Sequence, residues 1–444
     1  MSHHLIDLLA TTDALAAVFS DESVIKTMLE VEAALARAEA TVGVIPAAAA
    51  ETIGRAASAR DFDPVALARE GRTSGTIAVP LVSALTERVR AVDATAARFV
   101  HWGATSQDVV DTSLVLLINR ASTALATDHA RLSSALRTIS DRHAGDVMLG
   151  RTLLQPAPPT TFGLKAAGWL AGASRSWSRF KHARQAACVL QFGGASGTLA
   201  ALGDRGLAVA DALARELGLP APEAPWHAYR DRLAALVSAC GIYTGVLGKM
   251  ARDVSLLMQA EIGEAAEPGG GSSTMPQKQN PVGCAIALAA ATRLPGLVSA
   301  ALSGLVQEHE RAVGAWHAEL PTVADAFQTT GAALAAMADV ASHLSVSPDR
   351  MRENIDRTNG AIFAERVMMR AGRVLGREQA HGLVRGAMQR TRSTGETLAI
   401  AVRATPELAK VLTEDDLRMI DEADSYLGMA ETFRRRLLAP VDAE

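Results

Sequence analysis

Residues 112–144 read TSLVLLINRASTALATDHARLSSALRTISDRHA, without one glycine or proline. Leu114, Leu117, Ile118, Ala121, Leu125, Leu132, Leu136 and Ile139 recur at the three- and four-residue spacing of one helix face. At ~1.5 Å per residue this helix would run roughly 50 Å. That length predicts a bundle or an oligomer core rather than an isolated surface helix. Outward from it lie similar runs at about 173–192, 229–265, 282–313 and 322–344. Five long helices in succession predict an all-α bundle. In the third, Gly241, Gly245 and Gly248 form a small-residue face that another helix can approach closely. No alternating strand pattern of useful length, no repeat and no low-complexity tail stands out.

The composition fits. Of 444 residues, 49% are hydrophobic, but only 9 are Phe, 5 Trp and 3 Tyr. A large core short of aromatic residues must be filled by Ala, Leu, Val and Met, which suits packed helices better than sheets. Lys plus Arg is 44 against 48 Asp plus Glu, a net charge of -4, so no global footprint for nucleic acid is visible. Cys188, Cys240 and Cys284 are widely spaced and form no CxxC. A disulfide framework or zinc knuckle is not expected, and a reducing, cytoplasmic setting is. The start of the chain lacks a basic n-region, so no signal peptide is expected. The uncharged run between Arg232 and Lys249 falls short of the ~20 residues a membrane span needs, and Arg293 and Pro295 interrupt the apolar run 282–306; no membrane segment is expected.

The first clear helix follows Asp21, Glu22 and Ser23, which supply a cap and early negative charge; Val24, Met28, Val31 and Leu35 mark its face, and Gly43 ends it. After Pro348 the chain becomes more charged, with short helices. Arg434, Arg435 and Arg436 read as a solvated helix face.

Three stretches look unlike helix filler. HWGATSQD at 101–108 packs a histidine, two hydroxyls and an amide into seven residues, and Asp108 can cap the helix that follows. GRTLLQPAPPTTFG at 150–163 reads as a proline-rich connector, with Thr152 and Gln155 as groups a ligand would use. GGGSSTMPQKQNP at 269–281 cannot be a helix interior. Its glycines make a mobile loop whose N–H groups can turn toward an anion, and it lacks the GxxxxGK[ST] pattern of a P-loop. Arg311 sits in Glu308-His309-Glu310-Arg311, a charged patch interrupting an apolar helix. It reads either as an anion-binding group or as an intersubunit salt bridge. There is no dinucleotide fingerprint, no HExxH and no carboxylate cluster with metal spacing, so neither cofactor nor metal is expected. Lone histidines such as His182 and His227 read as surface or packing residues.

The three stretches resemble the fumarase/aspartase superfamily, whose signature takes the form GSSxMPxKxNP. VEAALARAEATVGVIP near the start and GRVLGREQAH at 372–381 agree, so the resemblance covers nearly the whole chain. It implies three all-helical domains, placed here at 1–108, 109–348 and 349–444, with a central five-helix bundle. It further implies a homotetramer whose active sites each draw these stretches from three chains. Within the superfamily the sequence is most similar to the bacterial 3-carboxy-cis,cis-muconate cycloisomerases. HWGATSQDVVDT and PWHAYRDRLA at 225–234 carry that likeness, as does Leu153, where lyases that split argininosuccinate, adenylosuccinate or malate usually carry histidine.

The resemblance implies lactonisation of 3-carboxy-cis,cis-muconate in protocatechuate catabolism, the β-ketoadipate pathway. One substrate carboxylate attacks a double-bond carbon of the same molecule, and the neighbouring carbon is protonated. By carry-over Ser272 would be the proton donor, with His143 and Lys278 as other possible carriers. Lys278, Asn280 and loop N–H groups would stabilise charge developing on carboxylate oxygens. His101, Thr105, Ser106, Thr152, Leu153, Gln155 and Arg311 would shape and bind the pocket for a tricarboxylate. The competing readings are a 3-sulfomuconate cycloisomerase, an adenylosuccinate lyase-type β-elimination enzyme, and a non-catalytic structural member of the scaffold.

Overall fold

The computed structural model describes residues 8–57, 62–271 and 274–439. The first long helix, α1 (Asp21–Val42), starts on Ser20, whose hydroxyl accepts the Ser23 N–H at 3.3 Å, and ends on Gly43 at φ 77°. The cap thus lies one residue before the expected one. Ser20 reaches the third helical N–H, while Asp21 and Glu22 act through their charge on the first turn.

The five long helices follow: α2 (Ser106–Arg142), α3 (Phe162–Ala187), α4 (Asp231–Leu257), α5 (Val282–Ser303) and α6 (Ala315–His343). The expected strandless chain needs one amendment. GRTLLQPAPPTTFG is a β-hairpin, not a connector: β1 (Val147–Thr152) pairs antiparallel with β2 (Gln155–Thr161). Prolines are tolerated because a two-stranded sheet has only edges, and Pro158 falls at the register shift between Leu149 and Gly150. A second pair, β3 (Ala265–Ala266) with β4 (Ser345–Val346), is shorter still.

The chain divides into two compact units. Unit 1 holds Met1–Ala130, Arg175–Lys249 and Ala285–Met337. Five of its aromatic residues form one cluster with His129. Trp177 stacks on His129 at 4.6 Å and on Phe180 at 5.1 Å, and Phe180 meets Phe327, which meets Phe19. His129 Nδ1 lies 2.6 Å from the Tyr243 hydroxyl. Burial, with the Lys181 charge, pushes the imidazole down to about 4. Within this unit the glycine face of α4 meets α5. A Cβ on Gly241 would stand 2.7 Å from Val298 Cγ2, and one on Gly248 2.7 Å from Ala291 Cβ. Gly245 has nothing within 4 Å.

Unit 2 holds Arg131–Ser174, Met250–Cys284 and Ala338–Glu444. Val147 and Leu149 of β1 pack with Ile355, Phe363, Val367, Leu398 and Leu408 of the C-terminal helices. The last helix, α7 (Ala430–Leu438), corrects the expectation of a wholly solvated arginine face. Arg434 is 9% exposed and donates to Asp141 Oδ1 at 2.7 Å and to the Ser140 carbonyl at 3.4 Å. Those are carbonyl and carboxylate oxygens in the last turn of α2, which an arginine satisfies well.

By length and composition α2, α4 and α5 are each long and apolar enough to cross a membrane, contrary to the sequence expectation. α4 extends past Arg232 and Lys249, and α5 runs unbroken through Arg293 and Pro295. In α5 only 17% of the most apolar 18-residue window is buried within the chain.

Candidate active site

Unit 1 brings one set of candidates together. The chain between Phe99 and α2 turns sharply, with His101 at φ 58° and Gly103 at φ 72°. A Cβ on Gly103 would come within 2.8 Å of Leu202 Cγ, so the turn packs too closely for any side chain there. His101 Nδ1 lies 2.6 Å from Oε1 of Glu32 on α1, and Glu32 is 1% exposed. Burial alone would lower the His101 pKa. The charge and hydrogen bond of Glu32, with Asp108 adding to them, raise it above the ordinary value.

Thr105 precedes α2, and Ser106 is its first residue. Asp108 accepts the Thr105 N–H at 3.0 Å, as an acid three residues into a helix does in a capping box. The same carboxylate accepts the Gly193 and Gly194 N–H groups at 2.9 Å each and lies 2.7 Å from His227 Nε2. His227 is indeed a packing residue, and it is also the buried partner of Asp108. The Thr105 hydroxyl accepts from Arg311, whose Nε donates to the Ala195 carbonyl at 3.2 Å. Arg311 lies beyond the end of α5, not inside a helix: the charged patch ends the helix it was expected to interrupt.

Beneath these lies a buried network that the sequence reading missed. Arg230 donates to both oxygens of Asp111, at 2.7 and 2.9 Å, and to Glu319 at 3.0 Å. Trp316 Nε1 donates to Asp111 Oδ1 at 2.9 Å, and Gln107 donates to the His227 carbonyl at 2.9 Å. Arg230 lies within PWHAYRDRLA and Asp111 within HWGATSQDVVDT, the available signals. Asp111 and Glu319 are 119 and 89 residues from Arg230, and nothing local announces the pairing.

Unit 2 presents the second set. Thr152 and Gln155 face each other across the hairpin end, and the two-residue turn between them is Leu153-Leu154. Both leucines have positive φ, 50° and 62°, and are 96% and 75% exposed. Positive φ at both centres is the pattern of a type I′ turn, which favours Asn and Gly. Arg151 anchors the hairpin through two bonds to Glu264, at 2.8 and 2.6 Å, and Asn354 donates to the same carboxylate at 2.8 Å.

The glycine-rich loop has a closed neck. Gly270 and Asn280 exchange backbone hydrogen bonds of 3.0 Å each way. Glu267 accepts the Gly283 and Cys284 N–H groups at 2.8 and 3.0 Å, capping α5. Lys278 donates its N–H to the Met275 carbonyl at 3.0 Å, and the residue is exposed. Ser272 lies outside the described residues. His143, a candidate proton carrier, has Nδ1 2.6 Å from Asp146 Oδ2 and its ring edge-on to Phe162.

The 1010 Å³ cleft beside α1 holds none of the candidates. Its charged lining is Asp13, Asp21, Glu22, Lys26 and Arg120. Among the described residues no three His, Cys, Asp or Glu side chains gather as metal ligands would. Unit 1 supplies the basic groups His101 and Arg311 with the Thr105 and Ser106 hydroxyls, and unit 2 separately supplies Lys278, Thr152, backbone N–H groups and an apolar tip. Such groups can bind several carboxylates and stabilise an enolate-like charge.

Comparison with known proteins agrees with the motifs. Residues 8–296 match the lyase family, and residues 360–437 match the adenylosuccinate lyase C-terminus family. The chain is 45% identical over 451 residues to the 3-carboxy-cis,cis-muconate cycloisomerase of Bradyrhizobium diazoefficiens, covering 100% of both chains. It is 46% identical over 443 residues to the Pseudomonas aeruginosa enzyme of the same name, covering 99% of this chain and 96% of that one. Among solved structures it is similar to the 3-carboxy-cis,cis-muconate lactonizing enzyme of Pseudomonas putida. There the TM-score is 0.92 at 42% identity, with 98% of each chain covered.

Proposed function

The chain belongs to the lyase family of the fumarase/aspartase superfamily, and from that premise we propose that it is the cycloisomerase that lactonises 3-carboxy-cis,cis-muconate. In this reaction a carboxylate oxygen of the substrate adds to a double-bond carbon of the same molecule. One C–O bond forms and one C=C π bond is lost. The electron pair moves to the neighbouring carbon, beside a second carboxylate, and that carbon takes up one proton. The nucleophile is already ionised and already tethered, so the protein need only fix its approach. Its main task is to stabilise the charge that develops on the second carboxylate.

The observation that carries this reading is Leu153. It stands 96% exposed at the tip of an anchored hairpin, and it cannot exchange a proton. A lyase expelling nitrogen or oxygen needs general acid catalysis, worth about 10²–10⁴ in rate. A lactonising enzyme makes no such demand of this position. In the proposed site His101, Thr105, Ser106, Thr152, Gln155 and Arg311 bind the three carboxylates. Asn280, Lys278 and loop N–H groups hold the developing charge, and Ser272 is the donor that the family resemblance suggests. The ultraviolet absorbance of the diene tests this directly. Wild type is expected to consume 3-carboxy-cis,cis-muconate and to leave adenylosuccinate and argininosuccinate untouched. Efficient cleavage of either succinate would overturn the assignment.

Three further parts of the reading are proposals of the same kind. The reaction serves protocatechuate catabolism. The protein works in the cytoplasm, as buried free thiols at Cys188, Cys240 and Cys284 suit a reducing compartment. The active form is a homotetramer that buries the apolar face of α5. Thr292, Arg293, Gly296 and Ser299 interrupt that exposed face, which suits packing against another helix better than lipid.

A further inference from the structure

Glu32 lies in VEAALARAEATVGVIP, a stretch to which the sequence alone assigns no chemistry, and it makes the only hydrogen bond found for the His101 ring among the described residues. The contact is 2.6 Å, between a carboxylate 1% exposed and an imidazole 18% exposed. The second oxygen of Glu32 has no hydrogen-bond partner, so the imidazole is what this buried carboxylate has to offset its desolvation. Two charged groups face the ring: Glu32 from α1, and Asp108 from the first turn of α2. Glu39 is two turns along α1 from Glu32. Neither of its oxygens has a partner, and burial together with the Glu32 charge pushes it up to about 9. Near neutral pH Glu39 is therefore a neutral acid.

We propose that Glu32 is a positioning residue that locks His101 as a fixed cation, with Nδ1–H given to Glu32 and Nε2–H left to grip a substrate carboxylate. The proposal rests on the reading above that His101 binds substrate. The backbone supports it: His101 is held at φ 58°, an uncommon conformation for a non-glycine residue. With Nδ1 occupied, Nε2 is the one nitrogen the ring can offer a ligand. A charged donor also serves a tricarboxylate better than a neutral tautomer, because charge-assisted hydrogen bonds are shorter and stronger.

The test is Glu32→Gln in the full-length protein, which keeps size and removes charge. KM is expected to rise about tenfold or more at neutral pH while kcat stays within a few-fold, the loss of one charge-assisted contact. The alkaline limb of kcat/KM should move down by about one pH unit or more, as His101 loses its anion. Histidine ring NMR reads the same change without turnover, with His101 assigned by the resonance missing from His101→Asn. An unchanged His101 midpoint in Glu32→Gln would overturn the proposal. A lowered midpoint with unchanged KM and pH profile would instead remove His101 from the substrate site and so fail the reading beneath. Glu32→Asp covers the case in which the glutamine variant does not fold. Keeping the charge, it should retain the wild-type alkaline limb, and a limb displaced as far as expected for the glutamine variant would mark Glu32 as a packing residue only.

Discussion

Leu153 and Leu154 occupy a turn that favours asparagine and glycine, and they do so in the open. Nothing in the stability of a single hairpin favours that choice, which fits the pocket-shaping role proposed for Leu153. Replacing the pair by Leu153→Asn with Leu154→Gly should relieve two left-handed leucines and stabilise the hairpin by about 1–3 kcal/mol. It should also cut kcat/KM sharply. Thermal unfolding and steady-state assays of one preparation would check both halves, and an active, stabilised variant would take the apolar tip out of catalysis. Glu39 sets a second expectation. Its carboxyl is held protonated up to about pH 9 when folded but ionises near its ordinary value of 4.5 when unfolded. Between those values the native state binds the extra proton, so stability is greatest below 4.5 and falls as pH rises, by about 1.4 kcal/mol per unit. His129 works in the opposite direction. Held neutral down to about 4, it withdraws stability as pH falls from 6.5. Glu39→Gln should match wild type near pH 5 and outlast it near pH 8 in melting experiments; parallel curves would refute the buried acid.

The crossing of α4 and α5 carries an element-scale prediction. Gly248→Val should destabilise by about 1–3 kcal/mol, because Ala291 cannot yield much in a packed core. Gly245→Ala, with open space around its Cβ position, should be neutral or gain up to about 1 kcal/mol from helix propensity. Denaturant melts of the two variants separate them. That face was legible because glycine spacing is a local signal. So were the five helices, since Ala and Leu recurring without breakers leave few other folds. Their ends were less so. The second was expected from 173 but starts at Phe162. Gly163 is needed inside its first turn, where a Cβ would come within 2.7 Å of the Ser140 carbonyl oxygen. Pro295 and Pro321 both lie inside helices. The hairpin was illegible: prolines hid its strands, and leucines are not turn formers. In the site, the residues carried by motifs could be named in advance. Glu32 and Asp111 lie in the quoted stretches VEAALARAEATVGVIP and HWGATSQDVVDT and Glu319 in neither, yet none stood out, because a carboxylate in a helix looks alike whether it meets water or a buried cation.

At the scale of the whole molecule, the exposed face of α5 bears on the proposed assembly. Ala289 lies on that face and is exposed in the chain, so Ala289→Arg should leave the fold of each chain intact. It should nevertheless break the proposed tetramer and abolish turnover, since in that proposal each site draws on several chains. Sedimentation velocity with parallel assays would show it, and a fully active monomer of either protein would end the shared-site model. Arg434 has a different consequence, one of timing. The ribosome makes Ser140 long before the arginine that closes over it, with 294 residues between them. At about 5–20 residues per second that interval is roughly 15–60 s. Throughout it the nascent chain carries the end of α2 without its final clasp, and unit 2 lacks its third stretch of sequence. Birth, more than maturity, is when this protein is open to proteases and in need of chaperones.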